Sequence, residues 1–377
     1  MTGPQAGFER RISGALEAAP SRIPVILGGC GTGRTWLLQR LRDRGRQAVQ
    51  YIDVERSATT PERFLQAVIA SSPFPWHGAD RVPANARDAF DALLAFFDTA
   101  RAPGGEPCTF LLDEVLELRT FESFPGLRHV LRDLLEALTG SANRFVLTTR
   151  YVARAHRLLR DATARFEVMH VPPLATADVT DLLAPAFNGY EQMATDDRDD
   201  LSRTVQALAD GRAAYIRAVG DAMAHMGGTA DPVGALTGLM AADGALNHWC
   251  CFCYELRLHR ARGYGALKAI LDILAEQEPL TLTEIALRLQ RTPGSTKDYL
   301  SWLEDVDLVN VRQKRYTIAD PLLRLWVRLH CRPEPPPEEL VAQEVQHYAL
   351  DRLPHQPEPE LVGAHGDRKA WGIIEID

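Results

Sequence analysis

The chain has 377 residues, 46% of them hydrophobic and 24% charged, with a formal net charge of −8. That length exceeds one compact core and calls for two or three domains, and the composition excludes a disordered or fibrous chain. No apolar run reaches the ~18–20 residues of a membrane span and the N-terminus has no secretory apolar region, so a cytoplasmic protein without membrane contact is expected; the acidic balance leaves nucleic-acid binding to a local basic patch.

Through the first half, short apolar runs alternate with amphipathic helical patterns, as in βαβ units on a parallel sheet. Strands are expected at 23–27, 48–54, 108–112 and 144–148, with helices at 35–44, 61–71, 86–99 and 124–138. The turn after the first strand reads Gly28-Gly29-Cys30-Gly31-Thr32-Gly33-Arg34-Thr35, which fits G-x-x-x-x-G-[K/R]-[ST] between an apolar strand and the helix opening at Trp36. Its glycines let the backbone wrap a phosphate with successive N–H groups turned inward, and the helix adds its positive dipole end. ATP with Mg2+ is the expected ligand, bound by residues 28–36. Thr35 would offer its hydroxyl to the metal, while Arg34 stands where a lysine usually reaches the β- and γ-phosphates. Arginine is a planar fork and lysine a compact point charge, so slow turnover is expected. The alternative is a glycine-rich turn with no ligand.

A second motif weighs against that alternative. The run Cys108-Thr109-Phe110-Leu111-Leu112-Asp113-Glu114 is an apolar strand, as one buried on both faces would be, ending in two carboxylates. Asp113 at the strand tip can hold Mg2+ through its water shell, and Glu114 can orient or deprotonate an attacking water. The next strand ends in Thr148-Thr149-Arg150 at the same sheet edge, where ligands of open α/β folds sit; Thr148 or Thr149 would meet the attacking water or γ-phosphate and Arg150 would sense the phosphate charge.

After Val171-Pro172-Pro173-Leu174 the strand signal stops, and helical patterns at 177–187, 195–210 and 213–225 read as a small helical lid. A third unit carries helices at 249–262, 264–276, 283–290 and 295–305 and a hairpin at 309–312 and 316–318, the winged-helix order. From 333 onward the chain is rich in proline and glutamate, which predicts an extended or weakly ordered appendage. The domains are therefore expected at 1–175, 176–240, 245–332 and 333–377. His248 with Cys250, Cys251 and Cys253 completes no zinc spacing, so buried apolar packing is expected for the cysteines, and no disulfide.

On GGCGTGRT, FLLDE, VLTTR and the run Tyr316 to Trp326, the chain resembles the P-loop ATPases of the AAA+ and STAND group, in particular the prokaryotic, archaeal-type family with a C-terminal winged helix. The resemblance implies a five-stranded parallel sheet of order 5-1-4-3-2, Thr35 and Asp113 at the metal positions, Glu114 as the catalytic acid and Thr148 to Arg150 as the sensor. It points to Arg212, at the start of a lid helix, as a nucleotide-sensing arginine, and to Phe8 and Arg11 as an entry segment near the base. The resulting expectation is an ATP-hydrolysing switch acting on a protein client. Alternatives are an ATP-gated regulator that binds duplex DNA through Arg288, Arg291, Arg312, Lys314 and Arg315, and a nucleotide-holding scaffold without turnover. Oligomerisation is open, with Arg119, Arg128 and Arg154 as undistinguished candidates for an arginine finger.

Overall fold

The computed structural model describes residues 4–45, 48–76, 82–160, 162, 164–189, 194–226, 230–259 and 263–353. In the first part α1 (Pro4–Glu17) precedes β1 (Ile23–Leu27), α2 (Arg34–Gly45), β2 (Val49–Asp53), α3 (Val54–Ser57), α4 (Pro61–Ala70) and α5 (Ala86–Thr99). There follow β3 (Thr109–Asp113), a 3-10 helix at Val115–Ser123, α6 (Val130–Gly140), β4 (Arg144–Thr149), α7 (Val152–Leu159) and β5 (Phe166–His170). The five strands form one parallel sheet of order β2-β3-β4-β1-β5, the expected topology.

Alternation along the strands sorts the apolar side chains onto two faces. Ile23, Val25, Leu27, Phe110, Leu112, Phe145 and Leu147 pack with α4, α5 and α6 on one side. Phe96, Phe97, Phe110 and Phe145 meet there edge-on and stacked. Ile26, Leu111, Val146 and Met169 meet α1 and α2 on the other side, through Phe8, Ile12, Leu37 and Leu38. This double covering keeps the strand tips of β1, β3 and β4 together at one edge.

The lid comprises α8 (Thr176–Leu183), α9 (Thr195–Leu208), α10 (Ala213–Met226) and α11 (Pro232–Met240). Beyond α12 (Ala245–His259) come α13 (Tyr264–Glu276), β6 (Leu280–Thr281), α14 (Leu282–Leu289), α15 (Pro293–Asp305), β7 (Val309–Arg312) and β8 (Arg315–Ile318). The short strands form an antiparallel sheet of order β6-β8-β7, giving three helices and a three-stranded wing. Local chemistry sets the boundaries: Thr281 and Glu284 form a capping box at α14, and Thr292 caps α15 ahead of Pro293. Asp320 caps α16 (Pro321–His330) through the N–H groups of Leu322 and Leu323.

Two expectations change. The helix expected at 124–138 begins only at Val130, with irregular chain after the 3-10 helix. The extended appendage is corrected over α17 (Glu338–Arg352), which buries Val341, Val345 and Ala349 along one stripe and donates the Tyr348 hydroxyl to the Leu208 carbonyl at 2.8 Å. Residues 354–377 of that appendage, and the end of the helix expected at 249–262, lie outside the described residues. Lid, winged unit, α16 and α17 share one apolar core, separate from the two cores of the sheet.

Candidate functional site

The glycine loop runs from the tip of β1 into α2, with Gly31 and Gly33 at φ +78° and +90°, conformations a side chain would resist. A Cβ on Gly28 would stand 2.7 Å from the Thr32 hydroxyl, which bonds the Gly29 carbonyl at 2.9 Å. Among the described residues, no protein acceptor takes the N–H of Gly29, Cys30, Gly31, Thr32 or Gly33. A row of donors at the N-terminus of a twelve-residue helix suits a phosphate. Thr35 and Trp36 are both exposed in the first turn, and Arg40 lies 4.6 Å over the Trp36 ring.

Arg34 is buried rather than extended over the loop. Its guanidinium bonds the Gly29 carbonyl at 2.7 Å and the Glu114 carboxylate at 2.5 Å. Glu114, in the left-handed region at φ 56°, also accepts the Arg150 N–H at 3.0 Å and faces the Arg150 side chain at 3.3 Å. Burial raises the Glu114 pKa, but Arg34 and Arg150 outweigh it and hold the carboxyl below its usual range. Arg150 in turn pairs with Glu55, a carboxylate that burial raises. Asp113 accepts the Thr148 hydroxyl at 2.5 Å and the Tyr51 hydroxyl at 2.9 Å, and Thr148 accepts the Glu114 N–H at 3.1 Å. The expected residues of β1, β3 and β4 therefore share one edge. Tyr51 and Glu55, which sequence reasoning missed, come from β2 and α3, whose tips nothing in the local pattern marks as polar partners.

A cavity of about 420 Å³ opens beside the loop, bordered by Gln5 of α1, Trp36 and Arg40 of α2, Asp178 of α8 and Ala213 and Arg217 of α10. Among the described residues, Gln5 Oε1 and Asp178 Oδ2, both buried there, find no hydrogen-bond partner. Two unpaired acceptors at an apolar cavity suit a flat ring carrying N–H donors. Phe8 is buried against α2 and Arg11 pairs with Glu167 of β5 at 3.2 Å.

Arg212 meets the loop itself. Its guanidinium donates to the Cys30 carbonyl at 3.0 Å, the Asp320 carboxylate at 2.8 Å and the Ala319 carbonyl at 3.0 Å, while Tyr215 donates to Asp320 at 2.6 Å. Arg257 of α12, itself buried, donates to Cys30 Sγ and, at 2.8 Å, to the Asp307 carbonyl. A Cβ on Gly29 would lie 3.4 Å from Asp307 Oδ2, so the winged unit reaches the phosphate loop. Burial pushes the Asp307 carboxyl up to about 7 despite Arg257 and Arg212. The sequence carries no motif for these partners, because they are joined only by the tertiary fold.

The exposed Thr35 hydroxyl and the buried Asp113 carboxylate, whose partners among the described residues are two exchangeable hydroxyls, are oxygen donors of the kind a divalent cation takes. No family model and no curated protein matches the sequence. The Walker-type ATPase PABY2304 of Pyrococcus abyssi is similar in structure, with TM-score 0.65 and 18% identity over 86% of this chain and 95% of that one. The Aeropyrum pernix ORC1 protein, solved in complex with DNA, matches at TM-score 0.43 and 18% identity over 87% and 92% of the two chains. The Thermotoga maritima RuvB Holliday junction branch migration motor matches at 0.42 and 13% over 83% and 91%. The first likeness and the sheet order together give the chain the P-loop NTPase fold.

Proposed function

We propose that the chain binds ATP with Mg2+ and hydrolyses it slowly, as a cytoplasmic AAA+/STAND-type switch whose nucleotide state controls how its winged unit docks. What carries the reading is the contact of the winged unit with the phosphate loop: Arg257 on Cys30 and Asp307 beside Gly29 stand where phosphate charge would arrive. A triphosphate wrapped by the N–H groups of residues 29–33 would repel the Asp307 carboxylate and compete for the guanidinium groups, so binding and docking are coupled. The unpartnered acceptors of Gln5 and Asp178 suit the exocyclic amine of adenine, which donates. The name of the similar Pyrococcus protein, a Walker-type ATPase, agrees with this reading.

In hydrolysis Asp113 and Thr35 would hold Mg2+, which would neutralise charge developing on the phosphates. Glu114 would take the role of the acid that orients water. Arg34 and Arg150 now bind it and lower its basicity, so it becomes competent as those guanidinium groups turn to phosphate oxygens. Arg212 would report the state of the loop to α16 through Asp320.

Duplex DNA remains the second reading, resting on the exposed Arg312, Lys314 and Arg315 at the wing. Against it, α15, the helix that would enter a groove, is tied to α7 by an ion pair between Asp305 and Arg157. The deciding experiment is Mg2+-dependent ATP turnover by the purified protein beside Glu114→Gln and Asp113→Ala, with and without duplex DNA. Turnover lost in both variants supports the switch, and stimulation by DNA moves the regulator reading first. Tight ATP binding with no turnover in any of the three would leave only a nucleotide-held scaffold.

A further inference from the structure

Among the described residues, Cys30 is the loop residue whose side chain is hydrogen-bonded by the winged unit. Its sulfur accepts from the buried guanidinium of Arg257, and the thiol of Cys253, one turn earlier on the same helix, is the group that acts on it most strongly. Cys253 and Arg257 are four residues apart on α12 and so lie on one helical face, turned to the loop. Both thiols are partly exposed, and a cavity of about 360 Å³ opens on Cys30 between Arg257, Arg212 and Asp307. The other cysteines lack this setting. Cys108 and Cys250 are buried, Cys251 is exposed and not among the groups acting on Cys30, and Cys331 is pushed up to about 11 by burial.

We propose that Cys30 and Cys253 are a peroxide-oxidised thiol pair that closes into a disulfide and fastens the phosphate loop to the winged unit. The S–H of Cys253, with Arg257, Arg150 and Arg34, draws the Cys30 thiol well below its usual range against the push of burial, so the loop sulfur is the nucleophile. Its thiolate attacks one oxygen of a hydroperoxide; the O–O bond breaks, hydroxide or alkoxide leaves and takes a proton, and Cys30 becomes a sulfenic acid. Cys253 then gives up its proton, its sulfur attacks that of Cys30, the S–O bond breaks and the oxygen departs as water. Two thiols and one hydrogen peroxide thus yield one disulfide and two waters. Closing the pair to the ~2.05 Å of a disulfide requires a shift of the loop towards α12. The glycines on either side of Cys30 allow the loop to make it.

The consequence for nucleotide rests on the function proposed above: a loop cross-linked at its third residue cannot rearrange around a phosphate chain. The test treats the reduced full-length protein with hydrogen peroxide and maps its peptides without reductant, with dimedone present in a parallel sample. The expected product is a Cys30–Cys253 peptide pair that dithiothreitol separates. Cys253→Ser should leave dimedone on Cys30 instead, whereas Cys251→Ser should leave the cross-link unchanged. Label on Cys251 or Cys331 with Cys30 untouched, or a Cys30 sulfenic acid that never joins Cys253 in the wild type, overturns the pair. Fluorescent-ATP titration is then compared before and after oxidation; at least a tenfold loss, reversed by reductant, is expected, and equal binding overturns the switch. The cross-link is read by mass alone, so a reduced protein that binds no nucleotide would refute the function above without touching the thiol pair.

Discussion

Asp307 is the residue with the clearest dependence on pH. Burial lifts its folded pKa from 3.8 to about 7, so the side chain is neutral in the folded protein at pH 5 and is forced to ionise as pH rises. A raised carboxyl pKa favours folding at low pH, and that advantage is lost between about 4 and 7. Asp307→Asn keeps the left-handed backbone at φ 57°, which asparagine tolerates, and removes the charge. It should raise Tm at pH 8 by about 3 °C or more and change it little at pH 5, as differential scanning fluorimetry at the two pH values can check. Gln5 supports a second prediction at this scale. Replacing it by leucine removes one of the two acceptors at the cavity, and ATP affinity in binding titrations should fall by roughly tenfold. The residues of the glycine loop and the two strand ends were legible because their motifs are local. Arg257, Asp307, Tyr51 and Gln5 were not, because each matters through a partner that the chain reaches only after folding.

Elements differ in how openly they declare themselves. Strands β1, β3 and β4 are continuous apolar runs, and the turns beside them carry their own signals, so their positions follow from the sequence. The edge strand β5, Phe-Glu-Val-Met-His, is half-covered and mixes charge with apolar residues, which weakens its period. Helix α17 was hidden by composition: its acidic, proline-led start reads as extended chain, and only Val341, Val345 and Ala349 mark a buried stripe. That stripe sits in the helical core with Val205, Leu236 and Leu325, so α17 closes the second half of the molecule and is no appendage. Val345→Asp would bury an unpaired carboxylate, and a drop in Tm of about 5 °C or more is expected in a thermal melt. The control Gln343→Asp, on the exposed face of the same helix, should be neutral within about 1 °C.

At the scale of the whole molecule, the sheet with its two cores and the helical half with its single core meet through polar contacts: at the loop, Arg212 and Arg257 with Cys30, and beside it, Arg157 with Asp305. Such a junction can separate without exposing either core. A compact chain of this length has a radius of gyration of about 21 Å. The double variant Arg157→Ala, Arg212→Ala should increase it by about 1–2 Å in small-angle scattering, and saturating ATP should move the wild type in the same direction. No change in either case would mean that the two halves remain joined regardless of the loop. The sheet also dictates an order of events during synthesis. Strand β1 leaves the ribosome early, yet both its neighbours, β4 and β5, lie far downstream, with Val25 facing Leu147 on one side and Val168 on the other. Until those strands emerge, Ile23–Leu27 is an apolar segment with two open edges, and a nascent chain halted before Arg144 should be held by chaperones and open to protease throughout.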